Sequence, residues 1–221
     1  MEKISPIGLI VFDFDGTLAD TRELIIQTNF EVQRKMGYPL TTEEEIVATV
    51  GLPLKECFLV MYPDMPAEDM PVCIKLYRQI FDELKGQIVP TLFPHVRETL
   101  DTLAGRGLSF SVASSRSTPS LLGFLRDMDL ARYISFVVGA DDVKQAKPHP
   151  EPVLNTLREL SFSASETMVV GDMPVDIQMG LAAGASTCGV SYGNSSREAL
   201  LAAGAGSVID DFAELSALVR G

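Results

Sequence analysis

Two rhythms of apolar and polar positions run along this chain. Residues 7–12, interrupted only by Gly8, form a continuous apolar run, the pattern of a parallel strand buried on both faces. Acids follow at once, Asp13, Asp15 and Asp20, with Gly16 among them to permit a tight turn. From Thr21 the spacing becomes helical: Ile25, Val32 and Met36 share a face, Phe30 flanks it, and Gly37 suits a C-terminal stop. Residues 38–88 keep helical spacing, broken at GLPLKE (51–56) and at MYPDMPAEDMP, and carry no buried-strand pattern. Helices are expected at 42–50, 53–62 and 67–85, with Gly86 and Pro90 marking a linker.

After residue 94 short apolar strands alternate with helical segments. Strands are expected at 108–113, 135–139, 167–171, 186–192 and 207–209. Helices are expected around Val96 and Leu103, around Leu121, Leu122 and Leu125, around Val153 and Leu157, around Ile177 and Leu181, and finally near 211–219. This alternation predicts an α/β fold, a Rossmann-like parallel sheet with helices on both faces. One strand precedes the helical block and the rest of the sheet follows it. The expected organisation is therefore an α/β core domain of residues 1–18 and 89–221, interrupted by a helical cap domain of residues 19–88.

Composition narrows the class of partner. The 221 residues are 46% hydrophobic, enough for a sizeable core. The net charge of −12, from 30 acids against 18 bases with no basic run, argues against nucleic acid as a partner. A small anionic substrate remains compatible, because a local site inverts the field of the whole. Cys57, Cys73 and Cys188 lack metal-ligand spacing and read as reduced thiols. The apolar stretch at 7–12 is too short for a signal sequence or a membrane span. The expectation is a cytoplasmic protein without a membrane partner, its oligomeric state left open.

Ligands of open α/β sheets bind beyond the carboxyl ends of the strands. The first strand ends in Asp13 and Asp15, the strand at 108–113 in Ser114 and Ser115, and the strand at 167–171 in Asp172, with Asp176 four residues later. Lys147, in KPHP, is expected to open the helix before that last strand. Crowded carboxylates repel one another, and a hard divalent cation such as Mg²⁺ relieves the conflict through oxygen ligands while leaving room for a phosphate. Lys147 and Ser114 then serve as donors to the phosphate oxygens, and an aspartate is itself a competent nucleophile toward phosphorus. Each feature alone has a plainer reading. A pair of acids after a strand is usually a solvated turn, a lone serine a cap, a lone lysine a surface charge, and Asp176 a first-turn acid answering a helix dipole. Asp20 reads as the N-cap of the helix starting near Thr21. His149, between two prolines, reads as a structural turn residue, and His95 has no evident partner. The joint occurrence of the acids, hydroxyl and amine, each at a strand end or helix start, favours the chemical reading.

These segments resemble a known family. DFDGTLAD, VASS, KPHP and GDMPVDI are similar, in order, to the four motifs of the haloacid dehalogenase superfamily, and the likeness spans nearly the whole chain. The insert after the first motif is similar to that superfamily's smaller helical cap, and GADDVKQAKPHPEPVL resembles the phosphoglycolate phosphatase and pyrophosphatase branch. The resemblance implies a phosphatase acting on a small phosphorylated metabolite. It makes Asp13 the nucleophile that becomes an aspartyl-phosphate and Asp15 the general acid, then base. Ser114, Ser115 and Lys147 would contact the substrate. Asp13, the main-chain carbonyl of Asp15, and Asp172 would hold Mg²⁺, and Asp176 would orient Lys147 or a water on the metal. Many relatives have Asn where this chain has Ser115, and Ser or Thr where it has Met173. A phosphosugar mutase or a pyrophosphatase would use the same acids. A dehalogenase needs neither metal nor an acid at position 15. A receiver-type phospho-acceptor switch would need neither the insert nor Asp15, and would be roughly half this length.

Overall fold

The computed structural model describes residues 7–219. Its first strand, β1 (Leu9–Phe12), is buried at all four positions. The chain leaves through β2 (Ala19–Asp20) into four helices, α1 (Arg22–Met36), α2 (Glu43–Val47), α3 (Leu54–Met61) and α4 (Asp69–Leu84). It returns through β3 (Thr91–Leu92), which pairs antiparallel with β2, Ala19 opposite Leu92 and Asp20 opposite Thr91. Helices and strands then alternate: α5 (Val96–Gly105), β4 (Ser109–Ala113), α6 (Thr118–Asp127), β5 (Ile134–Val138), α7 (Glu151–Leu160), β6 (Thr167–Gly171), α8 (Pro174–Ala182), β7 (Ser186–Val190), α9 (Arg197–Ala202), β8 (Ser207–Ile209) and α10 (Leu215–Leu218).

Six strands form one parallel sheet in the order β5-β4-β1-β6-β7-β8. The alternation along β1 feeds both faces, as a period of two demands. Ile10 and Phe12 enter the larger core with Phe110, Leu100, Leu121 and Phe212, whereas Leu9 and Val11 pack with Val153, Val169 and Met179. β1 has β4 on one side and β6 on the other, the topological switch point at which open α/β sheets place their ligands. The four helices between β2 and β3 close around clusters of their own, Val32, Phe58, Cys73 and Ile80 in one and Ile26, Ile46 and Val47 in another. Among the described residues no helix is long and apolar enough to cross a membrane.

Several local expectations need correction. α1 does not bury a single stripe through Ile25: Leu24, Ile26, Thr28 and Val32 are buried, because Leu24 reaches the sheet core while Ile26 and Val32 enter different clusters of the insert. The N-cap position of α1 is Thr21, not Asp20, which instead accepts the Arg22 N–H at 3.3 Å. α2 is shorter than the expected 42–50, stapled at its start by a reciprocal Thr42–Glu45 capping box. Leu122 and Leu181 lie on the exposed sides of their helices. The last segment is a tight 3₁₀ turn, Phe212–Glu214, followed by the single turn of α10. The β2–β3 ribbon and α9 have no counterpart in the expected elements.

Candidate active site

β1, β4 and β6 end side by side, with Phe12 in register with Val112 and Val170. The residues that follow them emerge on one rim: Asp13, Ser114 and Asp172, all buried. The Asp13 N–H still bonds the Val170 carbonyl at 2.8 Å, so the first acid is held in the frame of the sheet. Gly16, at φ 83°, lets the chain turn directly over Asp172; a Cβ there would overlap the Asp172 carboxylate.

Lys147 reaches this rim from the turn before α7, which begins only at Glu151, so it does not open the helix as expected. Its Nζ donates to Asp13 Oδ1 at 2.7 Å and to Asp176 Oδ1 at 2.6 Å. Asp176 sits in the first turn of α8, where its Oδ2 also accepts the Met173 N–H at 3.0 Å. The capping role and the site role therefore coexist in one carboxylate. Asp172 Oδ2 accepts from the Asn194 N–H at 2.7 Å and from Asn194 Nδ2 at 2.8 Å, and Oδ1 accepts from Thr17 Oγ1 at 3.3 Å. The second oxygen of Asp13 accepts no hydrogen bond among the described residues.

Asp13, Asp172 and Asp176 present carboxylate oxygens within 4.8 Å of one another, faced by the single ammonium of Lys147. Burial pushes the Asp13 carboxyl up to about 7; Lys147 opposes the rise, and the Asp176 and Asp15 charges add to it. Burial, then the charges of Asp13 and Asp176, hold Asp172 well above the ordinary carboxylate value. Burial works against the Lys147 charge, but Asp13 and Asp176 outweigh it and keep the ammonium protonated. A buried, oxygen-only donor set with surplus negative charge fits a hard divalent cation such as Mg²⁺. In chelator, Asp13 should bind its proton more tightly in the folded chain than in the unfolded one. The stability this contributes is fully present below the ordinary value of 3.8 and lost as the pH climbs through about 7. The Tm of chelator-treated protein, taken relative to that of Asp13→Asn, should therefore fall across that window, and a relative rise in thermal melts would contradict this charge arrangement.

The Asp15 side chain turns away from the carboxylate cluster. Its Oδ1 accepts from Thr21 Oγ1 at 2.5 Å and from Arg116 Nη2 at 2.7 Å, and its Oδ2 from Arg116 Nε at 2.7 Å. Burial disfavours the Arg116 charge, but the Asp15 carboxylate outweighs it and raises the guanidinium above its ordinary value. Ser114 Oγ accepts the Arg116 N–H at 3.2 Å. Ser115 points elsewhere: its hydroxyl donates to the Gly51 carbonyl at 2.5 Å, tying the rim to the insert. GLPLKE provides the Gly51 carbonyl that reaches the rim and leads into α3 at Leu54.

Lys147, Asp13, Asp172 and Asp176 come together as the sequence suggested, with Ser114 and Asp15 beside them. His149 stays structural, its Nδ1 accepting the Glu151 N–H at 3.2 Å. His95 lies outside the site and pairs with Asp211 at 2.8 Å on the surface. Sequence reasoning missed Arg116, Asn194, Thr17 and Thr21. Arg116 and Asn194 each follow a strand end by a few residues, which was the only signal available for either.

The family model of haloacid dehalogenase-like hydrolases matches residues 10–190. A phosphoglycolate phosphatase of Salmonella typhimurium is 31% identical over 238 residues, covering 97% of this chain and 93% of that protein. The solved structure of a subfamily IA hydrolase of the same superfamily, from Geobacter sulfurreducens, is 27% identical with a TM-score of 0.72 and 97% of each chain covered. A haloacid dehalogenase-like hydrolase from Streptococcus pneumoniae, at 19% identity and a TM-score of 0.86 over 97% of this chain and 99% of that one, shares the fold.

Proposed function

This chain belongs to the haloacid dehalogenase-like hydrolase family and is a hydrolase of its phosphatase type, and from that premise we propose that it hydrolyses small phosphomonoesters through an aspartyl-phosphate on Asp13. The observation that carries the reading is the state of Asp13: one oxygen fixed by Lys147, the other without a hydrogen bond among the described residues, at the rim where three strands end. The oxygen left free attacks phosphorus, and the one bound to Lys147 sets the direction of attack. Lys147 and Ser114 hold the phosphoryl oxygens. Asp15 protonates the departing oxygen, then takes a proton from the water that opens the acyl phosphate. Asp176 keeps Lys147 aimed into the site.

Mg²⁺, held by Asp13, Asp172 and the Asp15 carbonyl, would supply positive charge to offset the negative charge of nucleophile and phosphoryl group. Positioning and charge stabilisation carry most of the catalysis of phosphoryl transfer. Residues 1–18 and 89–221 form the catalytic unit and 19–88 the cap in this reading, with the β2–β3 ribbon between them. The Ser115–Gly51 contact brings the cap onto the rim, which supports a small phosphorylated substrate. A phosphoglycolate-like metabolite is the natural candidate, given what the Salmonella relative is called.

The test is hydrolysis of p-nitrophenyl phosphate and of a panel of phosphorylated metabolites with and without Mg²⁺. Activity is expected only with the metal. Full turnover in excess chelator would overturn the metal assignment, and inactivity toward every phosphomonoester would overturn the function.

A further inference from the structure

Arg116 has no part in the chemistry just described, yet it is the second cation of the site. Its Nε and Nη2 grip both oxygens of Asp15, at 2.7 Å for the shortest contact to each. Its guanidinium lies against two rings that meet edge to face, 4.6 Å from the centre of Phe81 on α4 and 4.8 Å from that of Phe124 on α6. The side chain is only 11% exposed. The outer nitrogen, Nη1, has no hydrogen-bond partner among the described residues.

This arrangement is incompatible with the work assigned to Asp15. To protonate a leaving group Asp15 must present an O–H to the ester, and here both of its oxygens face donors, the guanidinium and the Thr21 hydroxyl. Asp15 must turn off Arg116 to serve the substrate. Arg116 stays behind, seated against the two rings. Its charge would then be left buried without a counter-ion, and breaking a buried pair on one side is strongly unfavourable. A substrate that brings its own carboxylate to the guanidinium removes that cost. The fork is already shaped for a planar carboxylate, since it holds one now.

Resting on the phosphatase reading above, we propose that Arg116 is the specificity-determining residue of the site, and that it selects phosphomonoesters whose alcohol portion carries a carboxylate. That carboxylate replaces Asp15 on the guanidinium and so releases Asp15 toward the ester oxygen.

The experiment compares two esters that differ only at this point, phosphoglycolate and 2-hydroxyethyl phosphate, with Mg²⁺ present. The wild-type protein should favour phosphoglycolate in kcat/KM by roughly 10²-fold or more, the scale expected for a buried charge pair. In Arg116→Ala the ratio should fall to near one, chiefly through KM for phosphoglycolate, and Arg116→Lys should restore part of it. Arg116→Gln keeps most of the stem against the rings and serves if the alanine variant does not fold. A ratio kept in the folded variants, both esters falling together, would overturn the proposal and make Arg116 a support for Asp15 alone. Wild-type hydrolysis of both esters at equal efficiency would overturn it while leaving the phosphatase reading intact. Hydrolysis of neither ester, nor of any phosphomonoester, would remove both.

Discussion

Asp13→Asn should abolish phosphatase activity, by at least about 10⁴-fold, and at the same time raise the Tm of the protein in chelator. The loss follows from chemistry: an amide matches the carboxylate in shape but is no nucleophile toward phosphorus, and removal of a nucleophile elsewhere costs up to roughly 10⁶-fold. The gain follows from the surroundings. Asp13 is buried beside Asp172 and Asp176, and its carboxyl is pushed up to about 7, so at neutral pH the fold carries a charge that its environment resists. A neutral amide relieves that conflict. Its oxygen still accepts from Lys147, which also keeps Asp176. Active sites commonly give up stability for function in this way. Each kcal/mol relieved should appear as about 2–4 °C in a chain of this size. Steady-state assays and thermal melts of the two proteins decide it. Measurable turnover near the wild-type rate would remove Asp13 as nucleophile, and a lower Tm would contradict the reading of crowded charge.

Lys147→Ala should have the opposite signature, weakening catalysis and stability together. Loss of one charge-stabilising donor in a transition state typically costs about 10²–10³ in kcat. Stability should drop by ~3–5 kcal/mol, because truncation strands two buried carboxylates that the ammonium now holds at 2.7 and 2.6 Å. Mg²⁺ should recover part of the stability, since a cation at the acids takes over some of the neutralisation. His149→Ala, two residues away, breaks only an N–H contact at a helix start and should cost far less in activity. Urea unfolding with and without Mg²⁺, set beside kcat for both variants, separates the cases. Equal catalytic losses at 147 and 149 would mean that the lysine has been given the wrong role.

What could be read from the sequence was what depends on near neighbours. The apolar run of β1 and the strand at 167–171 announce themselves, because burial on both faces leaves no polar position between their ends. The acids stand out by contrast with those runs, and so Asp13, Asp172 and Asp176 were found together. Arg116 was not, because its partner Asp15 lies 101 positions away and its ring contacts come from two different helices. Nothing local marks a serine-flanked arginine as buried. Thr21 displaced Asp20 as the residue at the start of α1 for a similar reason. The threonine hydroxyl is claimed by Asp15 across the turn, an interaction that capping preferences do not contain. β2 and β3 have two residues each, too few for any periodicity to register.

That small ribbon has a consequence for exchange between proteins. Ala19 and Leu92 face each other across an antiparallel pair, so the chain departs for the four helices and comes back at a single point of the surface. Excision of the intervening segment leaves two neighbouring ends of the kind that a two-residue hairpin turn joins. A foreign segment needs only a matching pair of short strands to be spliced in, with the six-stranded sheet and its rim of acids left as they are. The four-helix segment is thus transplantable in one piece.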